Sequence, residues 1–222
     1  MLWTKINSVL GTMRPVMEEP RMVIAIAGMS ACGKTTLARD LAEELDGSLL
    51  QMDDYYRDIP DGVAVEELNW DDPAMFHLDE WRDHLEALGR GESVAVPRYD
   101  FRTSLRSGSR EVRSSRVVIA EGQFALHPHA VPNHYCLNVF VDVDLDDAFG
   151  RRLERDVWER GRSEDSIRTQ WERHVVPAWR NWVEPSRLRA DLVLRGDASR
   201  GSNLGMAIRA VEESRSRLAY LR

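Results

Sequence analysis

The chain is poor in cysteine: its 222 residues contain two, Cys32 and Cys136, without C-x-x-C spacing. That excludes a disulfide framework and a cysteine-rich metal site. Long apolar runs are also missing. Stretches such as 22–27 and 117–120 fall far short of the roughly 18 apolar residues that a membrane span requires. There is no basic excess: 30 Lys+Arg stand against 37 Asp+Glu, a formal charge of −7. That balance disfavours a general nucleic-acid binder. The first 20 residues carry Glu18 and Glu19 and no continuous apolar core, so they do not read as a signal peptide. Internal repeats and low-complexity tracts are absent. At 43% apolar and 30% charged residues, the composition is that of an ordinary globular protein. A chain of this length buries roughly 70% of its unfolded surface and needs no staple. The expectation is a cytoplasmic, soluble protein with one core and no membrane or nucleic-acid partner. A homo-oligomer is compatible with the sequence, which does not determine assembly.

Met22–Ala27 reads as a buried strand, followed by a glycine turn and a helix from Lys34 to Leu45, where Leu37, Leu41 and Leu45 recur every four residues. Ser48–Met52 is a second strand. Residues 53–73, with Pro60, Gly62 and Pro73, read as loop. Leu78, Trp81, Leu85 and Leu88 give helical spacing that Gly89 and Gly91 end. Val94–Tyr99 and Glu111–Ser114 flank a Ser/Gly/Arg-rich tip and suggest a hairpin. Val117–Ala120, Leu137–Val143 and Ala190–Leu194 are further strands. Helices are expected over 145–160, 166–182 and 204–218. Unalternating strands between helices imply parallel pairing with both sheet faces covered. The expected fold is three-layer α/β/α with a mostly parallel sheet: an extension over 1–21, then one domain over 22–222. That domain carries a hairpin insertion at 94–116 and an arginine-rich helical lid near 151–175.

Gly28-Met29-Ser30-Ala31-Cys32-Gly33-Lys34-Thr35 matches G-x-x-x-x-G-K-[ST], the phosphate-binding loop (P-loop) of nucleotide-binding proteins, between a strand and a helix as its mechanism demands. Gly28 and Gly33 let the backbone turn its N–H groups around phosphate oxygens. The helix from Lys34 adds the positive end of its dipole. By this pattern Gly28, Ser30, Ala31, Cys32, Gly33, Lys34, Thr35 and Thr36 bind ATP. Lys34 reaches the β- and γ-phosphates, and the Thr35 hydroxyl ligates Mg²⁺. Cys32 matters there through its backbone. The run 117–120 ends in Glu121-Gly122, an acid placed to hold Mg²⁺ directly or through water. Asp53 and Asp54 follow the second strand, where an acid would face the γ-phosphate and take a proton from an attacking hydroxyl. A strand-end turn explains that segment equally well. Residues 151–173 gather Arg151, Arg152, Arg155, Arg160, Arg162, Arg168 and Arg173 in an acidic chain. Arginines on a closing segment neutralise charge on a transferring phosphoryl group and keep water away; surface ion pairs account for part of the set.

Together these segments resemble the uridine (uridine–cytidine) kinase family within the phosphoribulokinase/uridine kinase group. The resemblance runs from about 22 to 200. It includes the loop, Asp53-Asp54-Tyr55-Tyr56-Arg57, Asn69-Trp70-Asp71-Asp72-Pro73, Val96-Pro97-Arg98-Tyr99-Asp100-Phe101 and Glu121-Gly122. It continues through Arg151-Arg152-Leu153-Glu154-Arg155-Asp156, Glu159-Arg160-Gly161-Arg162, Gln170, Pro177 and Glu184-Pro185-Ser186. The resemblance implies ATP- and Mg²⁺-dependent phosphorylation of a small-molecule acceptor, a nucleoside or similar alcohol. It implies that Asp53 is the general base on the 5′-hydroxyl and a magnesium neighbour, and that Asp71 bonds ribose hydroxyls. Tyr56 and Tyr99 would line the nucleoside pocket. Arg152 and Gln170 would contact the acceptor side, and Arg155, Arg160 and Arg162 would close over the triphosphate.

Two positions depart from that family. Ser104 stands where its hairpin carries a base-contacting histidine, and the run Gln123-Phe124-Ala125-Leu126 after Glu-Gly differs from the aliphatic run expected there. Other acceptors therefore stay open: nicotinamide riboside, pantothenate or a sugar phosphate. A nucleotide-binding regulator without kinase activity is the alternative from another class. His127 and His129 form an H-x-H pair read as a surface loop rather than a metal site. Trp158, Trp171, Trp179 and Trp182 are read as core or lid packing.

Overall fold

The computed structural model describes residues 21–59, 62–63, 68–131 and 135–220. The lead-in expected over 1–20 lies outside them. Five strands form a parallel sheet in the order β2-β5-β1-β6-β7: β1 (Met22–Gly28), β2 (Ser48–Gln51), β5 (Val117–Glu121), β6 (Leu137–Asp142) and β7 (Leu192–Arg195). The remaining pair, β3 (Val94–Asp100) and β4 (Leu105–Val112), is an antiparallel hairpin. Helices are α1 (Lys34–Glu44), α2 (Leu78–Arg90), α3 (Leu145–Arg160), α4 (Glu164–Gln170), α5 (Val176–Ala178) and α6 (Arg200–Tyr220). Among the described residues no helix is long and apolar enough to cross a membrane.

β1 is buried at every position, as a central parallel strand should be. Its side chains alternate between two cores. Val23, Ala25 and Ala27 face Trp81, Leu85 and Leu88 of α2, whereas Met22, Ile24 and Ile26 face Leu37 and Leu41 of α1 and Val211 of α6. Both helix faces are those the leucine spacing predicts. The chain crosses from β1 to β2 and β5 on one side and to β6 on the other. The carboxyl ends Gly28, Gln51, Glu121 and Asp142 therefore open on one crevice, where such sheets bind ligands.

Four expectations need correction. The hairpin tip is only 101–104; most of the Ser/Gly/Arg-rich stretch is strand β4, which ends at Val112. Its composition reads as loop, but ladder bonds to β3 and three side-chain anchors hold it. Arg106 donates to the Tyr56 carbonyl at 3.1 Å and to Glu80 at 2.7 Å, and Arg110 donates to Asp54 at 3.1 Å. Tertiary context overrides strand propensity there. The helix expected over 166–182 starts at Glu164 and runs on with two π-helical segments, Trp171–Val175 and Trp179–Val183. Pro177, which has no N–H to donate, lies between them. Finally, Trp158 is 83% exposed rather than packed, and His127 is buried against Phe124 and Trp182 rather than on the surface.

Candidate active site

At the end of β1, Gly28 adopts φ 150°, and a Cβ there would lie 2.5 Å from the Val141 carbonyl oxygen and 2.7 Å from Cys32 Sγ. Only glycine fits so close to β6. Ala31 and Gly33, with φ 64° and 98°, turn successive N–H groups to one side. No side chain caps α1 at Gly33, which leaves its first amides for an anion. Lys34 Nζ donates to the Met29 carbonyl at 3.3 Å, so the lysine lies back along its own loop. Cys32 is wholly buried, and burial pushes its thiol pKa up. It is therefore a packing residue and not a thiolate.

The β2-β5-β1 register sets Gln51 beside Glu121 and Glu121 beside Ile26. Glu121 Oε1 accepts from Thr35 Oγ1 and from Gln51 Nε2, each at 3.1 Å. Burial raises the Glu121 pKa while Lys34 opposes the shift. Thr35 and Glu121 thus place two hard oxygen donors side by side at the foot of the loop. That donor set suits Mg²⁺, which takes most of its remaining ligands from phosphate and water.

A cleft of about 1460 Å³ runs from the loop to the hairpin. Ser30, Ala31, Gly33, Lys34, Thr35 and Thr36 line one end, and Tyr56, Trp70, Asp71, Tyr99, Phe101 and Ser104 the other. Asp53 lies between them, on the 3₁₀ turn Met52–Tyr55 that follows β2. The neighbouring Asp54 is held by Arg110, so the two acids of the Asp-Asp pair differ in kind. Gly28, Cys32 and Glu121 are not on the wall; they support it from below.

The far end is aromatic. Tyr56 contacts Tyr99 at 5.3 Å, Phe101 at 5.8 Å and Trp70 at 5.8 Å between ring centroids. Burial drives the Tyr56 phenol far above its ordinary range, so it stays neutral. Asp71 is buried and lines the cleft, close enough to Tyr56 for its charge to act on that phenol. Its Oδ1 is 3.9 Å from Arg152 Nη1, and its Oδ2 has no hydrogen-bond partner. Burial raises its pKa, with Arg152 in opposition.

Arginines cover the cleft, organised by a residue to which the sequence pattern assigned no role. Asp156 is fully buried. It receives Arg155 at 2.8 Å, Arg162 at 3.3 Å, Arg160 at 3.5 Å and Arg152 at 3.6 Å. Against the upward push of burial, Arg155, Arg160 and Arg152 hold its carboxyl below the usual range. Arg155 also donates to Ser30 at 3.4 Å, and Arg160 lies 4.9 Å over the Phe101 ring. Gln170 Oε1 accepts from Arg162 at 2.7 Å and Arg152 at 2.8 Å, which ties α4 to the same cluster. Every arginine of this cluster lines the cleft. Arg152 and Arg160 lie one helical turn before and after Asp156, Arg155 is adjacent to it, and Arg162 follows just past the end of α3. That spacing is visible in sequence, but it does not reveal that one acid takes all of them.

A strand–glycine loop–helix cradle, paired oxygen donors, an acid across the crevice and converging arginines define a P-loop kinase. Residues 23–199 match the phosphoribulokinase/uridine kinase family. The chain belongs to that family and is an ATP-dependent kinase of small molecules. Among its relatives are uridine kinases from Deinococcus deserti and Halobacterium salinarum. The first is 40% identical over 179 residues, covering 78% of this chain and 86% of the relative. The second is 34% identical over 202 residues, covering 89% and 88%. The fold is that of the phosphoribulokinase from Rhodobacter spheroides, at TM-score 0.59 and 12% identity over 80% of this chain and 70% of that one.

Proposed function

We propose that this chain transfers the γ-phosphoryl group of ATP to the 5′-hydroxyl of a pyrimidine ribonucleoside. The observation that carries this reading is the order of groups along one cleft: phosphate loop, Asp53, then a buried Asp71 with an unpartnered oxygen among aromatic rings. Names of the relatives support the same acceptor. Residues 22–222 then act as one cytoplasmic kinase domain.

Loop amides from Ser30 to Thr36 bind the phosphates, and Lys34 leaves the Met29 carbonyl to reach them. Mg²⁺, held by Thr35 and Glu121 with Asp53 nearby, would neutralise phosphate charge when bound. Asp53 orients the acceptor hydroxyl and takes its proton. Asp71 Oδ2 accepts from ribose hydroxyls, and Tyr56 and Tyr99 flank the base. Arg155, Arg160 and Arg162 stabilise charge spread over the equatorial oxygens. Gln170 steadies the arginines through Oε1, so its part on the acceptor side is indirect.

ADP release is the test, measured with ATP and Mg²⁺ across uridine, cytidine, nicotinamide riboside and pantothenate. Turnover of uridine or cytidine is expected. Turnover confined to another alcohol moves the acceptor, and Ser104 in place of an imidazole is the reason to include those compounds. ATP binding without acceptor-stimulated ADP release would leave the regulator instead.

A pH dependence follows from Asp71. Its buried carboxyl takes up a proton at higher pH than an exposed aspartate. As pH falls through that raised value, the protonated group loses acceptor capacity, so kcat/KM for the nucleoside should fall while KM for ATP holds. The stability effect has the opposite sign: raised folded-state affinity for the proton makes this group more favourable to folding at low pH. Asp71→Asn should flatten the acid limb, measured as the pH profile of kcat/KM on its acid side. An unchanged limb would remove Asp71 from acceptor binding.

A further inference from the structure

Gln123 follows Glu121-Gly122 at the mouth of β5, and nothing in the phosphate chemistry uses it. Its side chain is 9% exposed and lines the cleft, yet Nε2 has no hydrogen-bond partner. Two contacts place it. A Cβ on the preceding Gly122 would lie 2.3 Å from Met52 Cβ, so this turn rests on the segment that carries Asp53. The following Phe124 packs edge-on against Phe76, whose ring is 4.1 Å from that of Tyr56. Gln123 therefore sits between the Asp53 turn and the aromatic end of the cleft.

A buried amide N–H without an acceptor is expensive, and native interiors rarely keep one unless a ligand completes it. Four buried atoms on the cleft-lining residues lack a partner, on Asp71, Tyr99, Gln123 and Arg152, and two of them make complementary demands: Asp71 Oδ2 seeks a donor and Gln123 Nε2 an acceptor. A ribonucleoside answers both, with hydroxyls on its sugar and a carbonyl on its base. We infer that Gln123 is a specificity-determining residue whose side-chain amide donates to a ring carbonyl of the acceptor's base. This rests on the pyrimidine-nucleoside reading above and adds the group that reads the base. A simple polyol would leave the amide to a weaker hydroxyl acceptor.

The near-isosteric Gln123→Met removes the donor and keeps the volume. Its kcat/KM for uridine should fall about tenfold to a hundredfold, as loss of a buried hydrogen bond implies, with KM for ATP unchanged. The ligand-free variant should melt at a higher temperature, because an unpaired polar group has become apolar; an amide paired within the protein would give the opposite shift. Wild type should discriminate uridine from either 2-thiouridine or 4-thiouridine, sulfur being the weaker acceptor, and Gln123→Met should lose that discrimination. Unaltered acceptor kcat/KM in the variant, a lowered melting temperature, or wild-type indifference to both thio substitutions would each overturn the assignment. Failure of the wild type to phosphorylate either pyrimidine nucleoside overturns it together with the reading beneath it.

Discussion

Asp53→Asn should lower kcat by about 10²- to 10⁴-fold, the usual contribution of a positioned general base, with little change in folding or in ATP affinity. Asparagine keeps the shape and one oxygen acceptor but has no basicity toward an alcohol proton. Asp53 is exposed on the wall of the cleft, so the substitution uncovers no buried charge. Asp54→Asn is the internal control. Its partner is Arg110 on β4, 3.1 Å away, so that variant should loosen the hairpin and raise KM for the acceptor while leaving kcat largely intact. Steady-state kinetics with both substrates varied separates the two. Unchanged turnover in Asp53→Asn would remove that residue from the chemistry.

The second large effect is expected at Asp156. Four guanidinium groups meet this one fully buried carboxylate, three of them with side chains 28–31% exposed and Arg152 at 6%. Breaking a buried pair by removing one partner costs about 3–5 kcal/mol. Partial exposure of three arginines screens the repulsion left behind and puts Asp156→Asn at the low end of that range. Chemical denaturation measures this loss. The same change frees Arg155, Arg160 and Arg162 from their common anchor, and kcat should fall by roughly 10²-fold, as when a fixed transition-state donor is lost. A stability loss with normal kcat at a temperature where the variant is folded would limit Asp156 to structure.

Both expectations rest on a fold whose outline is legible in residue order. The P-loop pattern names its own strand and helix, because only glycine tolerates the φ and the close approach to β6 found at residue 28. Apolar spacing marks α1 and α2, because a helix that covers a sheet must bury one face. Misreadings fall where side chains reach across the molecule. The Ser/Gly/Arg stretch 105–112 reads as a tip and is a strand because Tyr56, Glu80 and Asp54, all distant in sequence, anchor its arginines. His127 reads as surface because no local pattern announces the Phe124 and Trp182 rings around it.

The site divides along the same line. The phosphate-loop pattern is legible in sequence alone, since its backbone amides and lysine lie in one contiguous segment. Sequence also located the acids and arginines, but not their division of labour. Tertiary structure decided that Asp54 is bound by Arg110 while Asp53 faces the cleft, that Asp156 gathers the arginines, and that Asp71 and Gln123 are buried with unpartnered atoms. The physical reason is that these properties belong to pairs of groups brought together by packing. A residue's type and spacing set what it can offer, and only its burial and neighbours settle whether that capacity is already taken or is left for a ligand.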